Sequence, residues 1–121
     1  MSARTTLRPY PVFSSVSMAA DATSAVTVLQ SLSKISYGVS WTGTSPVGVL
    51  YTQVSNDYSL NQDGSVHNSG TWNNLPSSNA ISGNTGNGFI DVETGAYAIR
   101  LFYDATSGVG SISATVSGKV A

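Results

Sequence analysis

The stretch "KISYGVSW", which runs from Lys34 to Trp41, decides the fold class of this chain. Small or polar residues separate its large apolar side chains, which are Ile35, Tyr37, Val39 and Trp41. A period of two residues is typical of a β-strand with one face in an apolar interior and the other in water. The stretch therefore predicts a half-buried strand.

Further strands are predicted around this stretch. The segment "AVTVLQ" (25–30) is rich in β-branched residues, and "VGVLYTQVS" (47–55) is apolar enough for a central strand. A short strand is predicted at "FIDV" (89–92). The segment "TGTSP" (42–46) has the composition of a turn, so we expect the chain to reverse there.

The C-terminal part predicts a hairpin. "AYAIRLFYD" (96–104) and "SISATVSGKV" (111–120) both alternate, and "ATSGVG" (105–110) is interpreted as the turn between them. The expected interior residues are Tyr97, Ile99, Leu101 and Tyr103 on the first strand and Ile112, Ala114, Val116 and Val120 on the second. No long segment has a helical period. The sequence predicts one antiparallel, all-β sandwich of jelly-roll type over residues 22–121.

Residues 1–21 are predicted to form an extended N-terminal arm. The segment "LRPYPVF" (7–13) is kept extended by its prolines. An arm of this kind docks on its own domain or on a neighbour. We assign the expected partner contacts to its apolar side chains, which are Leu7, Tyr10, Val12 and Phe13.

The amino-acid composition argues against several classes of function. The 121 residues suit one domain, and charged residues make up 9 %, against about 25 % in an average protein. The net charge is −1 and the basic residues are scattered, so we expect no nucleic-acid partner. No segment has the length or composition for a membrane role. The chain has no cysteine, which excludes disulfides and thiolate chemistry.

The polar stretch "SNDYSLNQDGSVHNSGTWNNL" (Ser55–Leu75) has two interpretations. Asp57, Asp63 and the asparagines could offer oxygen ligands to calcium, but the full calcium-loop motif with its glutamate is missing. The alternative is a long connection between strands, in which Asn, Asp and Gly satisfy turn geometry. We favour the connection and expect neither a metal nor a cofactor.

No catalytic arrangement is visible. His67 is the only histidine, and a triad would need an activated serine beside it, yet no serine lies in a nucleophile motif. Asp91 and Glu93 are interpreted as the polar end of a strand rather than as a hydrolytic pair. We therefore expect the chain not to be an enzyme.

Some residues remain candidates for contact with a ligand or a partner surface. Trp72 and Tyr58 flank the polar stretch and could stack on a sugar, and the same surface would include Asp63 and His67. Arg100 lies inside an apolar strand. We interpret it as half of a structural ion pair with Asp104 or Asp91, with an inter-subunit contact as the alternative.

The segments "VSNDYSLNQDGSVHNSGTWNNL" and "GFIDVETGAYAIRLFYDATSGVGSISATVSGKV" resemble a set of small virion proteins from tailed bacteriophages, over residues 35 to 120. The strand "AYAIRLFY" also resembles a strand of discoidin-like jelly rolls. The resemblance implies a structural protein of the head or tail surface without catalytic residues.

The function expected from this resemblance is a head decoration or cement protein. It would bind the major capsid protein or other virion proteins, and sister subunits in a dimer or trimer. Two alternatives stay open: a tail or fibre component, and a carbohydrate-binding module that uses Ser55–Leu75 on a host glycan.

Overall fold

The computed structural model describes residues 6–29 and 32–120, without the side chain of Ser77. The first residues of the predicted arm (1–5) and the end of the predicted strand 25–30 lie outside this range. The described strands are β1 (Thr6–Ser17), β2 (Ala22–Thr23), β3 (Thr27–Val28), β4 (Lys34–Ser55), β5 (Ser59–Leu60), β6 (Val66–Asn68), β7 (Asn73–Ile81), β8 (Thr85–Glu93) and β9 (Ala98–Lys119). The described part of the chain contains no helix that could span a membrane.

Two long strands, β4 and β9, form the centre of the main sheet. Each has 22 residues, and they pair antiparallel along their whole length. In one half, β1 flanks β9 and β8 flanks β4. In the other half, β2 and β3 flank β9 and β7 flanks β4. A separate small sheet pairs β5 with β6.

Both long strands are irregular at the same level. The register between them shifts over residues 44–48 of β4 and 105–109 of β9. Ser45 and Gly108 have positive φ angles of 49° and 80° there. Such bulges bend a strand and reset which side chains face inward. The segments interpreted as turns at 42–46 and 105–110 are therefore bends within continuous strands, and the prediction of a C-terminal hairpin is wrong.

The bend folds the sheet onto itself and encloses one core. Inward residues of β4 are odd-numbered before the bend (Ile35, Tyr37, Val39) and even-numbered after it (Leu50, Thr52). On β9 the buried side chains include Ile99, Leu101, Tyr103, Ile112, Ala114 and Val116. The apolar side chains from both halves belong to one cluster. The predicted antiparallel, all-β, sandwich-like fold is confirmed.

One side of the sandwich is closed and the other is open. On the closed side the Ala25 amide donates to the Val12 carbonyl at 3.1 Å, which joins β1 to the segment between β2 and β3. On the open side a cleft of about 140 Å³ lies between β7 and β8, with Val39, Leu50 and Ile81 in its wall.

The N-terminal segment is extended, as predicted, but it is an edge strand of the domain. β1 pairs with β9, and register shifts accompany its two proline positions. Val12 and Phe13 are buried in the core, so their assignment as partner contacts is wrong. Leu7 and Tyr10 are half-buried and pack against the same core. The apolar side chains of this segment fill the sandwich along the edge of β9 opposite the one that pairs with β4.

Candidate functional site

Aromatic and planar polar side chains gather on the outer face of the second half, the half that contains β7. We call the set the Trp72–Arg100 cluster; its members are Gln53, Tyr58, Trp72, Asn74 and Arg100. Gln53 on β4 lies opposite Arg100 on β9 and opposite Asn74 on β7. The connection between β4 and β7 supplies Tyr58 and Trp72.

The guanidinium group and the two rings are in contact. The Cζ of Arg100 lies 4.2 Å from the centroid of the Trp72 ring, which is a cation–π distance. The ring centroids of Trp72 and Tyr58 are 5.9 Å apart and their planes are inclined by 56°. All of these side chains are half-buried, so part of each ring remains open to solvent.

A row of amide groups orients Arg100. Its Nε donates to the Oε1 of Gln53 at 2.8 Å, and the Nε2 of Gln53 donates to the Oδ1 of Asn74 at 2.9 Å. Partial burial lowers the pKa of Arg100, yet an arginine stays protonated at neutral pH. The group is therefore a fixed cation on a rigid sheet face.

The expected ion pair of Arg100 with Asp104 or Asp91 is wrong. Within the described residues, the ion pair is that of Lys34 with Glu93, at 3.5 Å. Asp91 lies on β8, which flanks the other half of β4, and Gln53 occupies the position opposite Arg100.

The connection that carries the rings is closed at its base by hydrogen bonds. The Oδ1 of Asp57 accepts from the Thr71 amide at 2.7 Å and from the Ser55 hydroxyl at 2.7 Å. The Thr71 amide is the larger cause, and the Ser55 hydroxyl the next, of a pKa of Asp57 below its ordinary value. Gly70 has a φ of +87°, and a Cβ there would lie 2.8 Å from the Ser55 Oγ. Both ends of the connection are thus held together.

Trp72 itself is anchored through its indole nitrogen. The Nε1 donates to the carbonyl oxygen of Ser69 at 2.8 Å. The Tyr58 amide donates to the Ser55 Oγ at 3.2 Å, which fixes the backbone of the second ring. Hydrogen bonds within the chain therefore hold the indole of Trp72 and the backbone of Tyr58 in position.

Asp63 and His67 belong to the small β5–β6 hairpin rather than to the Trp72–Arg100 cluster. The Oδ1 of Asp63 accepts from the Ser65 hydroxyl at 2.6 Å and from the Ser65 amide at 2.9 Å, and these bonds lower the pKa of Asp63. His67 is an exposed residue of β6. In the described part of the chain, no three histidine, aspartate or glutamate side chains are placed to hold a metal. The structure thus brings together Tyr58 and Trp72 of the predicted set.

A second surface covers the outer face of the first half. Outward residues of β4 and β9 form cross-strand pairs there: Ser36 with Ser117, Ser40 with Ser113, and Thr42 with Ser111. Thr115 lies between the first two pairs, opposite Gly38. We call this set the hydroxyl face; it is made of the serines and threonines just named. Each of its residues is exposed or half-buried.

Phe89 lies at the flank of the hydroxyl face. It is the central residue of β8, and its side chain is 81 % exposed. Its ring lies over Gly38, where a Cβ would be 3.5 Å from the Phe89 Cε1. Among the large apolar side chains of the described residues, Phe89 is the most exposed.

Sequence reasoning missed Phe89 and the role of Gln53. Phe89 belongs to the predicted short strand "FIDV", and the alternation of "GFIDVE" with Ile90 and Val92 inward indicates an outward position for it. No local sequence pattern identifies Gln53 as the partner of Arg100, because this contact depends on the register of two strands that are distant in sequence.

No protein-family model, curated protein or solved structure matches this chain.

Proposed function

We propose that this chain is a non-enzymatic structural protein of a virion, a decoration or cement protein that docks on the head shell through its hydroxyl face. The observation that carries the proposal is the hydroxyl face itself. Its cross-strand pairs, from Ser36–Ser117 to Thr42–Ser111, contain no charged side chain, and the charged residues Lys34, Lys119, Asp91 and Glu93 lie at or beyond one end of it.

Such a face suits close packing against protein. Burial of a charge is strongly unfavourable, whereas a hydroxyl group both donates and accepts hydrogen bonds and so pairs readily with a partner's backbone. Serine and threonine also have short side chains that lose little conformational entropy on binding. The long strands β4 and β9 keep the face rigid.

Phe89 would supply the apolar anchor of the contact. Interfaces draw most of their binding energy from a few buried aromatic or arginine side chains. Phe89 projects at the edge of the hydroxyl face and would enter a pocket of the neighbouring protein. Val12 and Phe13 take no part, because they fill the chain's own core.

The virion setting is supported by the resemblance to small phage virion proteins and by the low share of charged residues, 9 %. On a symmetrical shell, each copy makes the same contact with its neighbours. Many weak contacts of this kind together give stable binding. The same reasoning applies to contacts between sister subunits.

The test is binding to shells that lack this protein, measured by co-sedimentation. We expect Ser40→Lys and Thr115→Lys to abolish binding, because each buries a lysine in the contact, and Phe89→Ala to weaken it. Gln62→Lys is the matched control, since Gln62 is an exposed residue between β5 and β6. Full occupancy by both lysine variants would show that the hydroxyl face is not the docking surface.

A further inference from the structure

The Trp72–Arg100 cluster lies on the other half of the molecule and is not used by the proposed docking. Its cation, Arg100, has no carboxylate partner among the described residues and lies over an aromatic ring. The Nε of Arg100 is engaged by Gln53, and its two terminal nitrogens have no hydrogen-bond acceptor in the described part of the chain. A guanidinium group offers those donors in the geometry that a carboxylate accepts.

Ring contacts and hydrogen bonds hold the surroundings of Arg100 in a fixed arrangement. Trp72 lies under the guanidinium at 4.2 Å, and Tyr58 lies against Trp72. The base of the connection is closed by Asp57, Ser55 and Thr71, which fixes both rings in place. Preorganised groups bind with a smaller loss of conformational entropy than mobile ones.

We propose that the Trp72–Arg100 cluster binds a carboxylated sugar. The carboxylate would receive hydrogen bonds from the terminal nitrogens of Arg100. The apolar C–H face of the pyranose ring would pack on the open parts of Tyr58 and Trp72, and the amide side chain of Asn74 would bind sugar hydroxyls.

An acidic peptide is the competing occupant, and the arrangement favours the sugar. Arg100, Gln53 and Asn74 form a continuous row of planar polar groups beside two rings. A pyranose presents hydroxyls along its edge and C–H groups on its face, so it matches both parts of the platform. A carboxylate side chain of a peptide would use Arg100 and leave the rings and the distal amide without a role.

The experiment uses the full chain labelled with nitrogen-15 and followed by NMR. The chain has two tryptophans. The Trp72 indole N–H lies in the cluster, whereas the Trp41 indole donates to the Gly83 carbonyl at 3.3 Å on the other half and serves as internal reference. The probes are D-glucuronate and N-acetylneuraminate, with D-glucose as the neutral match and glutamate as the non-sugar carboxylate.

We expect at least one of the two acidic sugars to shift the Trp72 indole resonance in a saturable way, without shifting that of Trp41. Arg100→Gln should weaken this binding at least about tenfold, because a hydrogen bond to a charged group is lost. Arg8→Gln is the control, since Arg8 is exposed on β1 and its loss changes the net charge equally. The unchanged Trp41 resonance reports that each variant is folded.

Three results would overturn the proposal. One is the absence of a Trp72 shift with both acidic sugars. Another is equal binding of D-glucose, which would remove the role of the carboxylate. The third is equal binding of glutamate, which would identify a site for acidic peptide. Failure of this proposal can be distinguished from failure of the proposed docking. The sugar experiment substitutes Arg100, whereas the shell-binding experiment substitutes residues of the hydroxyl face and Phe89.

Discussion

The phenol oxygen of Tyr10 lies 2.7 Å from the Oγ1 of Thr27. Tyr10 is on β1, which flanks the first half of the sandwich, and Thr27 is on β3, which flanks the second half. This hydrogen bond therefore joins the two halves on the closed side. It lies beside the backbone bond from Ala25 to Val12, so polar contacts hold the closed side together where no continuous sheet spans it.

We expect Tyr10→Phe to lower the free energy of unfolding by about 1 kcal/mol, because Thr27 is buried and would lose a hydrogen-bond partner. Urea denaturation followed by circular dichroism measures the change. Tyr51→Phe is a suitable control, since Tyr51 is half-buried on the outer face and its phenol makes no hydrogen bond within the described part of the chain. An equal effect of both substitutions would contradict the role given to the Tyr10 contact.

Tyr37→Phe should have the opposite or no effect. The phenol oxygen of Tyr37 is buried and has no hydrogen-bond partner in the described part of the chain. Burial, with a smaller contribution from Tyr10, raises the pKa of Tyr37 well above its ordinary value, so the group stays neutral. Removal of an unpaired buried hydroxyl should leave stability unchanged or raise it by up to about 1 kcal/mol. A loss of stability in thermal denaturation would reveal a hydrogen bond to this oxygen.

Phe13 and Phe89 form a matched pair for the core. Phe13 is 2 % exposed and Phe89 is 81 % exposed. Phe13→Ala should destabilise the domain by about 3–5 kcal/mol, because it leaves a cavity in the core. Phe89→Ala should change stability by less than about 0.5 kcal/mol. Chemical denaturation of both variants tests the assignment, and similar values for the two would show that β1 is not part of the core.

Gly108 and Gly83 form a matched pair for the bend. Both have positive φ angles, 80° and 89°. A Cβ at Gly108 would overlap the carbonyl oxygen of Ser45, whereas at Gly83 it would meet open space. Gly83→Ala should cost about 1 kcal/mol through backbone strain alone. Gly108→Ala should cost more than about 3 kcal/mol, because β4 and β9 must separate. Equal melting temperatures for the two variants would contradict the close approach.

The base of the connection should loosen in acid. The pKa of Asp57 is lower in the folded protein than in the unfolded chain, because Thr71 and Ser55 donate hydrogen bonds to the carboxylate. Its contribution to stability is therefore present above the unfolded pKa of about 3.9 and is lost as the pH falls through the lower folded value. We expect the Trp72 indole resonance to shift as the pH falls through the pKa of Asp57 in the folded protein.

Asp57→Asn is the control for this titration. The amide oxygen still accepts a hydrogen bond but does not titrate, so the acid-dependent shift of Trp72 should disappear. Persistence of the same transition in the variant would assign it to another carboxylate.

The sequence predicted the strands better than their connections. Alternation placed Ile35, Tyr37 and Val39 inward, as observed, because a period of two depends on the local pleat alone. Glycine, serine and proline at 42–46 and 105–110 marked the right positions. The same residues serve a reversal and a bend, however, and the choice between them depends on the strand that pairs across the segment.

The prediction of the site was limited in the same way, because strand pairing between distant segments cannot be derived from local sequence. Tyr58 and Trp72 could be identified because aromatic residues at the ends of a polar stretch are conspicuous. The partner of Arg100 depends on register, and sequence alone favoured opposite charges over the amide of Gln53. Val12 and Phe13 were apolar in an extended segment, and nothing in their own spacing distinguishes an edge strand from an arm.

The continuity of β4 and β9 through the bend has a mechanical consequence. A tension that pulls the first half of the molecule away from the second is carried in part by the covalent backbones of β4 and β9, so side-chain contacts alone do not have to resist it. The halves therefore cannot slide apart as independent bodies. A single proteolytic cut at the bend of either strand leaves the other strand continuous, so we expect such a cut to weaken the protein without separating its two halves.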